Sequence, residues 1–146
     1  MKSSKVRLSK ILSHCGICSR REAEKYIKEG YLKVNGKIFT DYSIESKQIK
    51  KISIFDKVLN KKKTRIWIFN KPINYVSSNK EQGNQRSLFK LFPKDIPRLV
   101  SVGRLDIMSE GLMIFTNNPT LSSFLEKPKN KITRKYKVIV KGDLSE

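Results

Sequence analysis

Apolar positions in the first third of the chain repeat at helical spacing and then switch to strand spacing. Leu8, Ile11 and Leu12 share one helical face, and Gly16 follows where a helix closes in the left-handed region. A second helix is predicted from Ser19, because Ser19-Arg20-Arg21-Glu22 is a capping box in which Glu22 reaches back to the cap. Ala23, Tyr26 and Ile27 form its apolar face, and Gly30 ends it. Tyr31–Val34 alternates as a strand. Asn35-Gly36 is a two-residue hairpin turn, since both residues accept positive φ, and Ile38-Phe39 begins the return. Ile52–Phe55 reads as a further strand of the same unit.

Asn60–Thr64 is charged and unpatterned, which divides the chain into a unit at 1–60, a linker at 61–64 and a second unit at 65–146. Ile66–Phe69 is a strand that stops at Asn70-Lys71-Pro72, and Tyr75–Ser78 is the next. Asn79–Gln85 is expected as a polar loop, and Leu88, Leu91 and Phe92 as a short helix before Pro93. Leu99–Val102 leads into Gly103-Arg104-Leu105-Asp106, and Leu112–Thr116 is a mostly apolar strand. Asn118-Pro119 is a helix cap with proline in the first turn, with Leu121, Phe124 and Leu125 on the apolar face. Residues 135–141 set Tyr136, Val138 and Val140 against lysines, the alternation of a strand. The fold class is α+β.

Charge narrows the function. The 146 residues hold 32 Lys or Arg against 13 Asp or Glu, a formal charge of +19. The excess is spread over both units: 14 basic to 6 acidic residues in 1–60, and 18 to 7 in 61–146. A cation of that extent calls for a long polyanion, since each phosphate contact releases condensed counterions. No apolar stretch approaches a membrane span, so nucleic acid is favoured over a membrane surface. Met1–Lys10 is polar and basic with no apolar signal segment after it, and a cytoplasmic location is the expectation. His14, Cys15 and Cys18 supply at most three metal ligands, so two small residues around a helix end is the favoured reading and no metal is called for.

The motifs sharpen this. Lys10, Arg20, Arg21, Lys25, Lys28, Lys33 and Lys37 cluster around the capping box and the hairpin. Arg20 and Arg21 oppose the helix dipole in the first turn, which suggests that a phosphate backbone is their counterpart. The order of helix, S-R-R-E-A helix and V-N-G-K hairpin resembles the S4 RNA-binding domain, or alpha-L motif, over residues 6–58. That resemblance implies that Arg20, Arg21, Lys33 and Lys37 grip folded RNA, with Lys10 and Lys25 beside them.

Val102–Leu112, containing G-R-L-D at Gly103–Asp106, resembles the signature of bacterial rRNA pseudouridine synthases. Asn70-Lys71-Pro72, Phe115-Thr116-Asn117 and Arg134-Lys135-Tyr136 resemble three further landmarks of that family, in the same order. The resemblance implies an S4-type domain followed by part of a mixed, mainly antiparallel-sheet catalytic domain, with ribosomal RNA as partner. It also implies Asp106 as nucleophile, with Arg104 and Tyr136 contacting the substrate. Lys71 is placed among the RNA-contacting cations. The reaction moves the ribose bond from uracil N1 to C5 and needs no metal or redox cofactor. A carboxylate nucleophile divides it into two easier steps, after a uridine has left its stack. Whether that carboxylate adds to the sugar or to the base is open in the sequence.

Departures from the family pattern also carry information. Pro119 stands where glycine is usual, and Lys127-Pro128 where His-Pro is common. The resembling enzymes continue past the Tyr136 segment and supply a basic residue facing the aspartate, whereas Glu146 is ten residues after Tyr136. The expectation is a monomer that is catalytically weak alone, or one completed by a C-terminal half. The rival readings are a non-catalytic S4-type RNA-binding module and a helix-turn-helix DNA regulator; the latter leaves the Asn35-Gly36 hairpin and the Asp106 signature unexplained.

Overall fold

Leu8 and Leu12, one helical turn apart, are both fully buried, and they nucleate the first of two apolar cores. The computed structural model describes residues 4–60, 62–79, 81 and 83–142. Its first part runs β1 (Lys5–Arg7), α1 (Leu8–His14), α2 (Arg20–Lys28), β2 (Leu32–Val34), β3 (Lys37–Ile38) and β4 (Ser43–Glu45). A 3-10 turn at Ser46–Gln48 then precedes β5 (Ile52–Ile54) and β6 (Lys57–Val58). The expected punctuation is present. Gly16 has φ 72° just past α1, and the Ser19–Glu22 capping box forms in both directions. Asn35 and Gly36 take φ 53° and 85°.

The sheet has the order β3-β2-β5-β6, all antiparallel. Leu32 pairs with Ile54 and Val34 with Ile52, so these four side chains share a face and join Leu8, Leu12, Ala23 and Ile27 in the core. Asn35 does more than accept its backbone angle. Its amide donates to the Gln48 carbonyl at 2.6 Å, and its oxygen accepts from the amides of Lys50 and Lys51 at 2.9 and 3.0 Å. The turn residue thereby fixes the approach to β5. Pairing of β1 with β4 was not expected, because three-residue strands with polar ends carry little periodic signal.

The second core is built on β7 (Ile66–Lys71), β8 (Tyr75–Val76), β9 (Arg86–Ser87), a 3-10 turn at Leu88–Leu91, β10 (Val100–Val102) and β11 (Gly111–Thr116). Then come α3 (Pro119–Glu126) and a 3-10 turn at Pro128–Asn130. A six-residue antiparallel ladder joins β11 to β7, and β10 flanks β11 on the other side. Met113 and Phe115 point into the core with Leu88 and Leu99, where Phe69, Phe89 and Phe92 surround Phe115 at 4.9–6.0 Å. The opposite face stays open: Ile66, Ile68 and Leu112 are exposed. The expected loop at Asn79–Gln85 includes Lys80 and Gln82, which lie outside the described residues.

Two expectations are corrected. Residues 135–141 form no strand, and among the described residues none pairs with them; Ile139 is 90% exposed and Val138 74%. Alternation fixes which side of a strand would be apolar, but a ladder also needs a second backbone. On α3, Phe124 is exposed, and the buried residue is Ser122, whose hydroxyl donates to the Ser101 carbonyl at 2.8 Å.

The Thr116-Asn117-Asn118 run ties down the stretch between the cores, of which Lys61 lies outside the described residues. Thr116 Oγ1 donates to the Arg65 carbonyl, and Asn117 accepts from the Arg65 amide and donates to the Lys63 carbonyl, all at 2.8–2.9 Å. Asn118 caps α3 through the amides of Thr120 and Leu121 and also donates to Thr64 Oγ1. Asn118→Ala should therefore cost about 1–2 kcal/mol, more than a simple cap, in urea unfolding followed through Trp67 fluorescence.

Candidate active site

The loop between β10 and β11 carries Arg104 and Asp106, and it is held almost entirely through its backbone. Lys71, the last residue of β7, is fully buried beneath it. Its ammonium has three protons and meets three close carbonyls, those of Ser109, Asp106 and Pro72 at 2.7, 2.9 and 3.1 Å, with that of Ile107 at 3.4 Å. Ser77 holds the preceding residue from both sides: its hydroxyl donates to the Leu105 carbonyl at 2.7 Å and accepts from the Leu105 amide at 3.2 Å. The Asn74 amide donates to the Ile107 carbonyl at 2.8 Å. The Asp106 side chain is left exposed on this tethered backbone.

Burial lowers the pKa of Lys71, and the negative charge of Asp106 opposes that shift. The lysine expected to contact RNA is therefore an internal group. Its charge is satisfied by carbonyl dipoles, and no proton is free for a phosphate. The signal was present in the alternation of β7, where Trp67, Phe69 and Lys71 occupy every second position on the inward side. Ser77 and Asn74 had no comparable signal, because a clamp on backbone atoms leaves no residue pattern.

Beside the loop lies a cleft of about 360 Å³ lined by Arg104, Leu105, Met113, Arg134 and Tyr136 among others. The structure thus brings together Arg104 and Tyr136, which lie 32 positions apart in sequence, and adds Arg134 to them. Asp106 follows the lining residue Leu105. Gly103 takes φ 77°, and Arg134 Nη2 sits 3.9 Å from where a Cβ would project, so the glycine is required by the backbone turn. Tyr136 remains 67% exposed.

The cations of the first part are distributed unevenly. Lys10 and Arg20 line one groove with Lys5, Arg7 and His14. Burial lowers the pKa of His14, and the charges of Lys10 and Arg20 lower it further. Arg21 and Lys37 are exposed. Lys25 pairs with Glu29 at 3.8 Å and Lys33 with Asp56 at 2.6 Å, which leaves both partly neutralised. Cys15 and Cys18 are thiols whose pKa values are raised by burial, in keeping with residues packed around the end of α1.

A family model described as RNA pseudouridylate synthase matches residues 65–146, and an S4 domain model matches residues 6–45. The chain belongs to the RNA pseudouridylate synthase family. An uncharacterized RNA pseudouridine synthase of Rickettsia bellii is 37% identical over 138 residues, covering 94% of this chain and 60% of the relative. Ribosomal large subunit pseudouridine synthase B of Buchnera aphidicola is 38% identical over 95% of this chain and 58% of its own length. The enzyme of the same name from Bacillus subtilis is 33% identical over 93% and 56%. A crystal structure of a pseudouridylate synthase covers 86% of this chain and 54% of its own, at 27% identity and a TM-score of 0.47. The chain spans about 60% of the length of the curated relatives it matches.

Two outcomes are expected. Lys71→Met strands three carbonyls under the Asp106 loop and should lower stability by about 3 kcal/mol in a denaturant melt. His14 binds its proton less tightly folded than unfolded, so its share of stability is complete above about pH 6.5 and is lost as pH falls through the lowered folded value. His14→Gln should flatten the melting temperature against pH between about pH 7 and 5.

Proposed function

We propose that this chain acts in the site-specific isomerisation of uridine to pseudouridine in ribosomal RNA, with Asp106 as nucleophile toward a flipped-out uridine. The observation that supports it is the tethered loop. It carries the exposed Asp106 carboxylate one residue past Leu105, which lines a cleft together with two guanidinium groups and a tyrosine. A nucleophile must approach one atom of its substrate within a few tenths of an ångström, and a loop fixed at consecutive backbone positions meets that demand.

In this reading the bond from C1′ to N1 breaks, the uracil turns, and a bond from C1′ to C5 forms. The proton lost from C5 is balanced by one gained at N1. Arg104 contacts phosphate or fills the vacated stack, and Tyr136 packs against the extruded uracil. Lys10, Arg20, Arg21, Lys25, Lys33 and Lys37 dock the folded RNA. Ribosomal RNA as substrate is supported by the names of the Buchnera and Bacillus relatives.

Turnover is proposed to require more than the elements described. The open face of the β7–β11 sheet and the unpaired residues 131–140 expose apolar side chains next to the cleft, so full activity is expected when polypeptide covers them, in cis or in trans.

The test maps pseudouridine chemically in an rRNA transcript incubated with the chain, alone and with the remaining segment of a relative supplied in trans. Asp106→Asn should reduce conversion by at least ~10³-fold while RNA affinity stays within about twofold. Conversion that persists in the Asn variant would remove Asp106 as nucleophile.

A further inference from the structure

Two hairpin turns close the four-stranded sheet of the S4 part, and they are made from opposite kinds of residue. Asn35-Gly36 consists of residues that suit the left-handed region. Phe55-Asp56 takes φ 49° and 59°, and phenylalanine gains nothing locally there, because its Cβ crowds the following carbonyl oxygen. Glycine or asparagine would make the same turn with less strain. A residue held against its backbone preference points to a use for its side chain.

That side chain completes an aromatic group. The Phe55 ring lies 5.0 Å from that of Tyr26 and 5.1 Å from that of Tyr31, and the two tyrosine rings are 6.3 Å apart. Tyr26, on α2, meets the other two edge-on, at 76° and 82°, and supports them from behind. Tyr31 and Phe55 are nevertheless 48% and 47% exposed. Lys28 and Lys57, each two residues past a ring in sequence, are exposed, and the Lys33–Asp56 ion pair at 2.6 Å pins the turn. Arg20 lies six residues before Tyr26, about 9 Å along the axis of α2, near enough for one RNA molecule to reach both ends.

We propose that Tyr26, Tyr31 and Phe55 form a stacking platform for an unpaired nucleobase of the bound RNA, at a place separate from the uridine cleft. This rests on the reading above that RNA is the partner. Charge decides in favour of a nucleotide over an apolar protein segment: residues 1–60 carry 14 basic and 6 acidic residues, and Lys28 and Lys57 lie two positions from Tyr26 and Phe55 in sequence. A nucleotide offers a π face to the aromatics and a phosphate to the lysines at once.

The experiment measures binding of the full chain, by fluorescence anisotropy over a salt series, to an rRNA stem with a short single-stranded overhang and to the same stem blunt-ended. Phe55→Gly removes the ring and relieves the turn. It should weaken binding to the overhang RNA about 5- to 100-fold with an unchanged or higher melting temperature. The slope of log affinity against log salt should stay constant, because no phosphate contact is lost. Tyr31→Ala should act likewise, Phe55→Trp should retain affinity, and the blunt stem should not distinguish the variants. Wild-type affinity in Phe55→Gly, alongside salt-dependent binding by the unaltered chain, overturns the platform alone and leaves the patch to a protein partner. An equal loss in Phe55→Trp overturns it too. No RNA binding by the unaltered chain would overturn both this proposal and the function on which it rests.

Discussion

A buried ammonium under a loop of carbonyls organises the second half of this molecule. Lys71 cannot leave water without partners, because an unpaired buried charge is too costly, and it finds them in main-chain oxygens of Pro72 and the Asp106 loop. Satisfying that charge fixes the loop. The Ser77 hydroxyl and the Asn74 amide then hold the intervening atoms. Every clamp grips backbone, so the side chains of Arg104 and Asp106 are free to face outward from a backbone that is not. The cost of burying a lysine is in this way converted into positional control over the signature motif.

The same division between backbone work and side-chain availability runs through the first half. Asn35 is consumed internally by three hydrogen bonds to the chain before β5, and Lys25 and Lys33 are partly neutralised by acidic neighbours. Lys10, Arg20 and Arg21 are exposed. The pKa of His14 is lowered first by burial and then by the charges of Lys10 and Arg20. The groove at the start of α2 gathers Lys5, Arg7, Lys10, His14 and Arg20, with Glu24 as its acidic member.

Between the two cores, Thr116, Asn117 and Asn118 show one short run serving several ends. Their side chains close the top of β11, cap α3 and capture residues 63–65. The stretch that reads as a linker is thereby tied to the second core, at the end of the strand leading out of the Asp106 loop.

Local chemistry was legible in the residues. The capping box at Ser19–Glu22, the left-handed turn at Asn35-Gly36 and the cap at Asn118-Pro119 each depend on neighbours within a few positions, and each is where the pattern put it. The turn at Phe55-Asp56 was not legible, since phenylalanine at its first position argues against positive φ; ring contacts with Tyr26 and Tyr31 accompany it. Residues 135–141 have the alternation of a strand and no partner, and Lys71 has the composition of a surface cation but the position of an inward one. The sequence by itself determined the charge and most of the helices, turns and caps, because these follow from residue type and short spacing. Only the tertiary structure decided which lysines are spent inside, which strands find neighbours, and which distant residues share a cleft. Those depend on distances between segments far apart in the chain, and no local pattern encodes them.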